Sequence, residues 1–237
     1  MARATPQPAE PLPVPSVEVL LAALQHGDSA FPSGGFAFSW GVEGLIADGL
    51  VTRPDDLTRV VRDVLLYRWA SFDRPVLRRA FEAAPDLERV ADVDREVETA
   101  TIVAGLREGS RRAGRALLGA HVRLETPGAA AYRALVDADG ALGHQSVVQG
   151  LVWRSVGLPL AAAEAMAAWA VATSMVSAAV RLGTLGHAAA QTLLTRLRST
   201  IAALLATPQP DALSAFSPLA DIAVARHARR DLRLFAT

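Results

Sequence analysis

Along most of the chain, apolar residues recur every three to four positions, the spacing of one face of an α-helix. The pattern predicts helices from Ser16 to Gln25, from Phe36 to Asp48, after Thr52, and from Leu87 to about Leu118. Further helices are predicted at 129–138, 144–156, 159–182 and 187–205, with a last one starting at Ser217-Pro218. No stretch alternates polar and apolar residues between hairpin signals. The sequence therefore predicts an all-α fold, a single-domain helical bundle of about eight to ten helices over residues 16–237.

Two helix starts carry recognisable cap signals. Thr52 and Asp55 have the spacing of a capping box, and Pro54 falls in the first helical turn. Asp73 is predicted to cap another helix, with Pro75 just inside it. These signals place two helix boundaries within the first third of the chain.

The first fifteen residues differ from the rest because they contain five prolines. We expect residues 1–15 to form a disordered tail that is dispensable for folding, since this composition suits neither a helix nor the apolar part of a signal peptide. The uncharged stretch from Ala165 to Val180 is shorter than a membrane span and predicts a buried helix. We therefore expect a cytoplasmic protein that binds no membrane.

Composition narrows the possible chemistry. The chain has 237 residues and no cysteine, and 24 basic residues, all arginine, balance 24 acidic ones. The absence of cysteine excludes disulfides, cysteine-ligated zinc and iron–sulfur sites. The charge balance argues against nucleic-acid binding, and the absence of lysine excludes a P-loop.

Candidate catalytic and metal-binding residues are few. No two of the five histidines, His26, His121, His144, His187 and His227, have the spacing that places two ligands on one helix face. Asp92, Asp94 and Glu96 do not share a helix face either. The residues therefore predict no catalytic centre and no metal site within one chain, although a metal shared across a dimer axis stays open.

The segment from Asp28 to Glu43 is unusual, because it combines a helix break, paired glycines and four aromatic residues in a chain poor in aromatics. One interpretation is a tightly packed corner between two helices, with the aromatic rings in the core. The other is a corner that docks a partner or cradles a phosphate group. The residues alone favour the packed corner.

This segment resembles the first motif of the UreF family of urease accessory proteins. The matching residues are Asp28, Ser29, Pro32, Gly34, Gly35, Phe36, Ser39, Gly41 and Glu43. A second family motif is matched by Arg107, Ser110, Gly114, Arg115, Leu117 and Leu118, and a third by Arg181, Leu182, Leu185, Gly186 and Gln191. The last motif is matched by Asp221, Ile222, Arg226, His227, Arg233, Leu234 and Phe235. The chain departs from the family pattern at Gly105, Thr184, His187, Ala228 and Asp231.

The resemblance implies an all-α, non-enzymatic protein that forms a homodimer and binds the accessory protein UreD, also called UreH. With UreD it would recruit the GTPase UreG to apo-urease for nickel insertion, the complex handling the nickel and this chain holding no stable cofactor. The resemblance implies partner-binding roles for the following motif residues: Asp28, Ser29, Pro32, Gly34, Gly35, Phe36, Ser39, Glu43, Arg181, Gln191, Asp221, Arg226, His227, Arg233 and Phe235. It also makes 218–237 a docking segment.

Two alternatives stay open at this point. One is a helical scaffold of the same fold that serves another metalloenzyme. The other is an all-α enzyme whose site is assembled from dispersed residues such as Glu43, Arg181 and His227.

Overall fold

The computed structural model describes residues 16–35 and 38–227, and within these ranges it is helical with no strand. The helices are α1 Val17–Gly27, α2 Val42–Ala47, α3 Pro54–Val64, α4 Arg74–Ala83, α5 Leu87–Ala100, α6 Ala104–Arg123, α7 Ala129–Asp137, α8 Gln145–Ser155, α9 Leu160–Arg181, α10 His187–Ala206 and α11 Pro218–His227. A π-helical segment, Leu65–Asp73, joins α3 to α4. The all-α prediction is confirmed. The expected tail, residues 1–15, lies outside the described ranges.

The core forms around α8, which packs mainly between α4 and α6. Nearly every side chain of α8 is buried, including Leu151 and Trp153. Gly150 allows the close approach, because a Cβ there would lie 2.5 Å from the carbonyl oxygen of Leu77 on α4. The bundle is thus built outward from one short helix that is buried on almost all sides.

Helix α9 is long and apolar enough to cross a membrane by length and composition. In the structure, 61% of its most apolar window is buried against other helices. Its main neighbour is α10, and Ala167, Ala168 and Met175 face the core. The predicted buried helix is therefore present, and its apolar character is that of a core element.

The single long helix predicted from Leu87 to Leu118 is wrong, because the helix breaks at residues 101–103. The Arg107 guanidinium, one turn into α6, donates to the carbonyl oxygens of Thr101 at 2.7 Å and Ile102 at 3.0 Å. These bonds satisfy carbonyls that the break leaves without helical partners. The resulting turn brings the end of α5 against the start of α6.

The predicted helix from Phe36 to Asp48 is also too long. Phe36 itself lies outside the described residues, and α2 begins only at Val42. Trp40 and Gly41 have φ angles of 53° and 82°, which are left-handed and incompatible with a right-handed helix. The segment before α2 is therefore a folded corner rather than a helical turn.

The cap predicted at Thr52 with Asp55 is shifted by one residue, because Arg53 is the N-cap and Asp56 supplies the carboxylate. Asp56 Oδ2 accepts from the backbone N–H of Arg53 at 3.0 Å and from the Thr52 hydroxyl at 3.2 Å. These bonds, led by the one from the backbone of Thr52, lower the pKa of Asp56 to about 2. The helix begins one residue later than predicted, at Pro54.

The helix start predicted at Asp73 is wrong, because the chain stays helical from α3 through the π-helical segment into α4. Asp73 makes no cap; its carboxylate accepts from Arg68 Nε and from the Ser146 hydroxyl, each at 3.1 Å. Pro75 looks like a first-turn proline in the sequence. It follows a change of helical register, a position where proline is also tolerated.

Candidate functional site

The corner between α1 and α2 begins with a tight turn at Asp28. The Asp28 carboxylate accepts from the backbone N–H of Ala30 at 2.7 Å, and the Asp28 backbone carbonyl accepts from the N–H of Phe31 at 3.1 Å. Ser29 and Pro32, both in the first motif, are exposed beside it. An open cleft of about 450 Å³ lies against this turn, lined by Gln25, Asp28, Phe31, Pro32, Arg123 and neighbouring apolar residues.

The structure explains why the first of the paired glycines of the motif, Gly34, is a glycine. It has a φ of +71°, and a Cβ there would lie 2.8 Å from the Ala116 Cβ of α6. Both its conformation and its contact therefore require glycine. Gly35 faces the Gln145 side chain at an ordinary contact distance, so the structure gives no comparable steric reason for it.

The aromatic side chains of the corner join three elements. Phe38 is buried against Leu106 of α6 and Val224 of α11, and the Trp40 ring meets it edge-on at 5.0 Å between centroids. Gly109 of α6 lies directly under the Phe38 ring and has no space for a Cβ. The corner is thus tightly packed, as the residues alone favoured.

Helix α11 is seated on the same corner through two more glycines. A Cβ at Gly41 would lie 2.8 Å from the carbonyl oxygen of Ala220, and one at Gly44 would lie 2.8 Å from that of Ala223. Ala220, Ala223 and Val224 form the buried face of α11. The first and last motifs, far apart in sequence, therefore pack directly against each other.

The third motif reaches this region through one charged residue. Glu43 of α2 is buried, and its charge acts on the Arg181 guanidinium at the end of α9. Burial lowers the pKa of Arg181, while the Glu43 charge opposes that shift, and the arginine stays charged. Gln191, from the same motif, is exposed on α10, whose main partner is α9.

The outer face of α11 and the residues leading to it are apolar and exposed. Phe216 is 69% exposed, Leu219 58% and Ile222 49%. Asp221, half-buried, accepts from the Ser217 hydroxyl at 3.1 Å, and burial raises the pKa of its carboxyl group. Arg226 is exposed and lies 3.7 Å from Asp48. His227 ends the described part of α11; Arg233 and Phe235 lie outside the described residues.

Ser110 of the second motif belongs to a separate polar network around Asp94 and His144, which sequence reasoning missed. Buried Asp94 of α5 accepts from the Tyr132 hydroxyl and from the backbone N–H groups of Leu142, Gly143 and His144, all within 2.9 Å. A carboxylate that holds three successive amides fixes the turn before α8. The only sequence signal was an acidic residue among apolar neighbours on α5, since its partners lie nearly fifty residues away.

Ser110, His144 and Glu98 superficially resemble a catalytic triad in that network. The His144 ring contacts the Ser110 hydroxyl at 3.2 Å and the Glu98 carboxylate at 2.9 Å. However, the Ser110 hydroxyl also accepts from the Gln145 N–H at the start of α8, and His144 is completely buried. Burial lowers the pKa of His144 against the opposing carboxylates. The arrangement braces α5, α6 and α8 rather than presenting a nucleophile.

Within the described residues, no group of three or more histidines, aspartates and glutamates has the geometry to hold a metal ion. Of the dispersed enzyme site considered above, Glu43 and Arg181 do lie together. The part of the structure that is described therefore offers a packed corner with an exposed helix on it. An exposed apolar face of this kind is typical of a surface that another protein covers, which places the site in the class of protein-contact surfaces.

The comparisons with known proteins agree with this class. The family model for UreF matches residues 51–198. Urease accessory proteins UreF from Arthrobacter sp. (strain FB24) and Paenarthrobacter aurescens (strain TC1) are 35% and 33% identical to this chain, and each alignment covers 91% of it and 96% of the relative. The UreF of Trichodesmium erythraeum (strain IMS101) is 31% identical over the same shares.

These matches and the helical bundle define an all-α accessory protein rather than an enzyme. The chain belongs to the UreF family of urease accessory proteins.

Proposed function

We propose that this chain binds a UreD (UreH) homologue and, with it, recruits the GTPase UreG to apo-urease for nickel insertion. The observation that carries the proposal is the exposed apolar row Phe216, Leu219 and Ile222, held on the motif corner by the buried face of α11. Three large apolar side chains in adjacent turns form a surface that favours burial by a partner.

The charge pattern of the last segment supports the same partner. Arg226 is exposed at the end of the apolar row, and Arg229, Arg230 and Arg233 follow in the sequence. Arginine pairs with carboxylates through two parallel hydrogen bonds and is enriched at interfaces. A partner that covers the apolar row and carries acidic groups beside it fits this surface.

Nickel is proposed as cargo of the assembled complex rather than a cofactor of this chain. The family assignment supports a role in urease maturation, and the sequence has no P-loop with which to hydrolyse GTP. Nucleotide chemistry would therefore belong to UreG, and this chain would act in the cytoplasm as a scaffold.

A second copy of the chain is the partner we propose for α1. Val17, Leu20, Leu21 and Leu24 lie on one face of α1 and are 49–67% exposed. Glu18 and the buried His26 are the only ionisable side chains of this helix. Two copies meeting on α1 would therefore encounter little charge repulsion, and each would cover the other's apolar face.

The direct test is binding of the UreD homologue from the same source to the full chain, measured by calorimetry. Leu219→Asp combined with Ile222→Asp should weaken binding at least about tenfold, because a charge would be buried in an apolar contact. The matched control is Leu124→Asp at the end of α6, where a leucine is 50% exposed. Equal affinity of the double variant and the wild type would contradict the docking role.

A further inference from the structure

The chain between α10 and α11 lies along the surface of the helix that runs from α3 to α4. We call residues 209–217 the strap. Asp211 accepts through its carbonyl from Arg79 at 2.9 Å, and the Ser214 N–H donates to the Ser71 carbonyl at 3.0 Å. The Phe216 N–H donates to the Tyr67 carbonyl at 2.8 Å. Partner numbers fall as strap numbers rise, so the strap runs antiparallel to the helix.

The two carbonyls that bind the strap, those of Ser71 and Tyr67, belong to the π-helical segment, and Pro75 follows it directly in α4. In an α-helix the Ser71 carbonyl would accept from the N–H of the fourth residue onward, which is Pro75. Proline has no N–H, and its ring crowds that same carbonyl. Pro75 therefore gives the Ser71 carbonyl no α-helical donor, and the Ser214 N–H donates to this carbonyl.

Ser71 holds the strap through its side chain as well. The Ser71 hydroxyl donates to the Ser214 carbonyl at 2.7 Å, so both backbone groups of Ser214 are bound to one residue. Two residues later the strap reaches Phe216, and the Tyr67 side chain beside it is 53% exposed. Helix α11 begins at Pro218, directly after these bonds.

We infer that the Ser71 hydroxyl and the backbone carbonyls of Ser71 and Tyr67 form a clip that fixes the strap and so sets the position of α11. Ser71 is then a positioning residue for the proposed docking surface. The inference rests on the proposed function in that α11 is taken as the helix that binds UreD. The clip itself is a property of the free chain and is measurable without the partner.

The test uses the full chain and two variants. Ser71→Ala removes the hydrogen bond from the Ser71 hydroxyl to the Ser214 carbonyl. Ser214→Pro removes the N–H that donates to the Ser71 carbonyl. Ser199→Ala is the control, because Ser199 is an exposed α10 serine whose hydroxyl binds only its own helix. Hydrogen exchange is followed in peptides covering 208–217 and 218–227, and affinity for the UreD homologue is measured alongside the melting temperature.

In each clip variant, both peptides should exchange about three- to tenfold faster than in the wild type. The affinity for UreD should fall by a similar factor, and the melting temperature should stay unchanged. The control should match the wild type. If both clip variants exchange in 218–227 at the wild-type rate, the inference is overturned, regardless of their affinity for UreD. A wild-type chain that does not bind UreD would overturn the proposed function instead, and the exchange data would still decide the clip.

Discussion

Single glycines decide how closely the elements of the corner approach one another. Gly109 and Gly119 lie on the same helix, α6, but in opposite surroundings. Gly109 is covered by the Phe38 ring, whereas the atom nearest a Cβ at Gly119 would be an Arg133 nitrogen 3.7 Å away. The pair separates the packing role of glycine from its helix propensity.

Gly109→Ala should lower the free energy of unfolding by about 1–3 kcal/mol, because the added methyl group displaces Phe38 from its cluster. Gly119→Ala should raise it by up to about 1 kcal/mol, since alanine is the better helix former and has space there. Urea unfolding of both variants measures the difference. Equal effects of the two substitutions would show that Phe38 does not press on α6.

A buried pair of histidines makes the same region sensitive to acid. The rings of His26 on α1 and His121 on α6 stack at 4.9 Å between centroids, and Phe31 of the corner packs on both. Burial, reinforced by the neighbouring His26, lowers the pKa of His121 from 6.5 to about 4, and burial lowers the pKa of His26 too. The cleft beside them carries Asp28 and Arg123.

The sign of the pH dependence follows from these directions. In the unfolded chain a histidine takes up its proton near pH 6.5, while folded His121 does so only near pH 4. Between these values the unfolded state binds more protons, so stability falls as the pH falls. We expect a loss of roughly 3 kcal/mol from His121 across this window and a plateau above it.

Urea unfolding between pH 4 and pH 8 measures this slope. His121→Phe keeps an aromatic ring in the stack but cannot take up a proton, so it should flatten the acid limb of the profile. An identical slope in the wild type and the variant would mean that the stacked pair does not titrate as described.

At the scale of elements, the turn before α8 depends on one carboxylate. Asp94→Asn should destabilise the protein by about 3 kcal/mol, because the new amide group faces backbone donors that it cannot bind. Asp92→Asn is the matched control on the same helix, where an exposed pair with Arg95 contributes little. Denaturant unfolding measures the free energy of unfolding of both variants. Equal destabilisation by the two substitutions would show that the lost charge on α5, rather than the bonds of Asp94, causes the effect.

The sequence predicted most helices to within a residue or two, and α7 to α10 show why. Their apolar periodicity is regular, and turn residues bound the run, with Pro127-Gly128 before α7 and Thr207 to Pro210 after α10. The wrong helix boundaries occur where contacts outside the local sequence pattern decide the structure. The break at 101–103 has no glycine or proline and depends on Arg107.

Pro75 shows a second limit, because a proline at a π-to-α junction looks in sequence like one at a helix start. The candidate site was likewise predicted where the signal is local in sequence and missed where it depends on distant segments. The motif residues located the corner, but the contact of Gly41 and Gly44 with α11 depends on packing between segments about 180 residues apart. Asp94 and His144 were not recognised as partners, since nothing local links them.

At the scale of the whole molecule, the proposed dimer has a defined surface. Leu20→Asp combined with Leu24→Asp on α1 should convert the protein to monomer at micromolar concentration, as measured by sedimentation equilibrium. Leu50→Asp is the control, at an exposed leucine outside α1. A dimer that survives both changes to α1 would place the second copy elsewhere on the bundle.

The central claim is that this chain assists urease maturation through the exposed face of α11. The most direct measurement is the nickel content and activity of urease from a source strain that lacks this gene and is complemented with variants. The wild type and Leu124→Asp should restore nickel-loaded, active urease, while the Leu219→Asp and Ile222→Asp double variant should leave urease largely nickel-free. Full nickel loading with the double variant, or without any copy of the gene, would contradict the account.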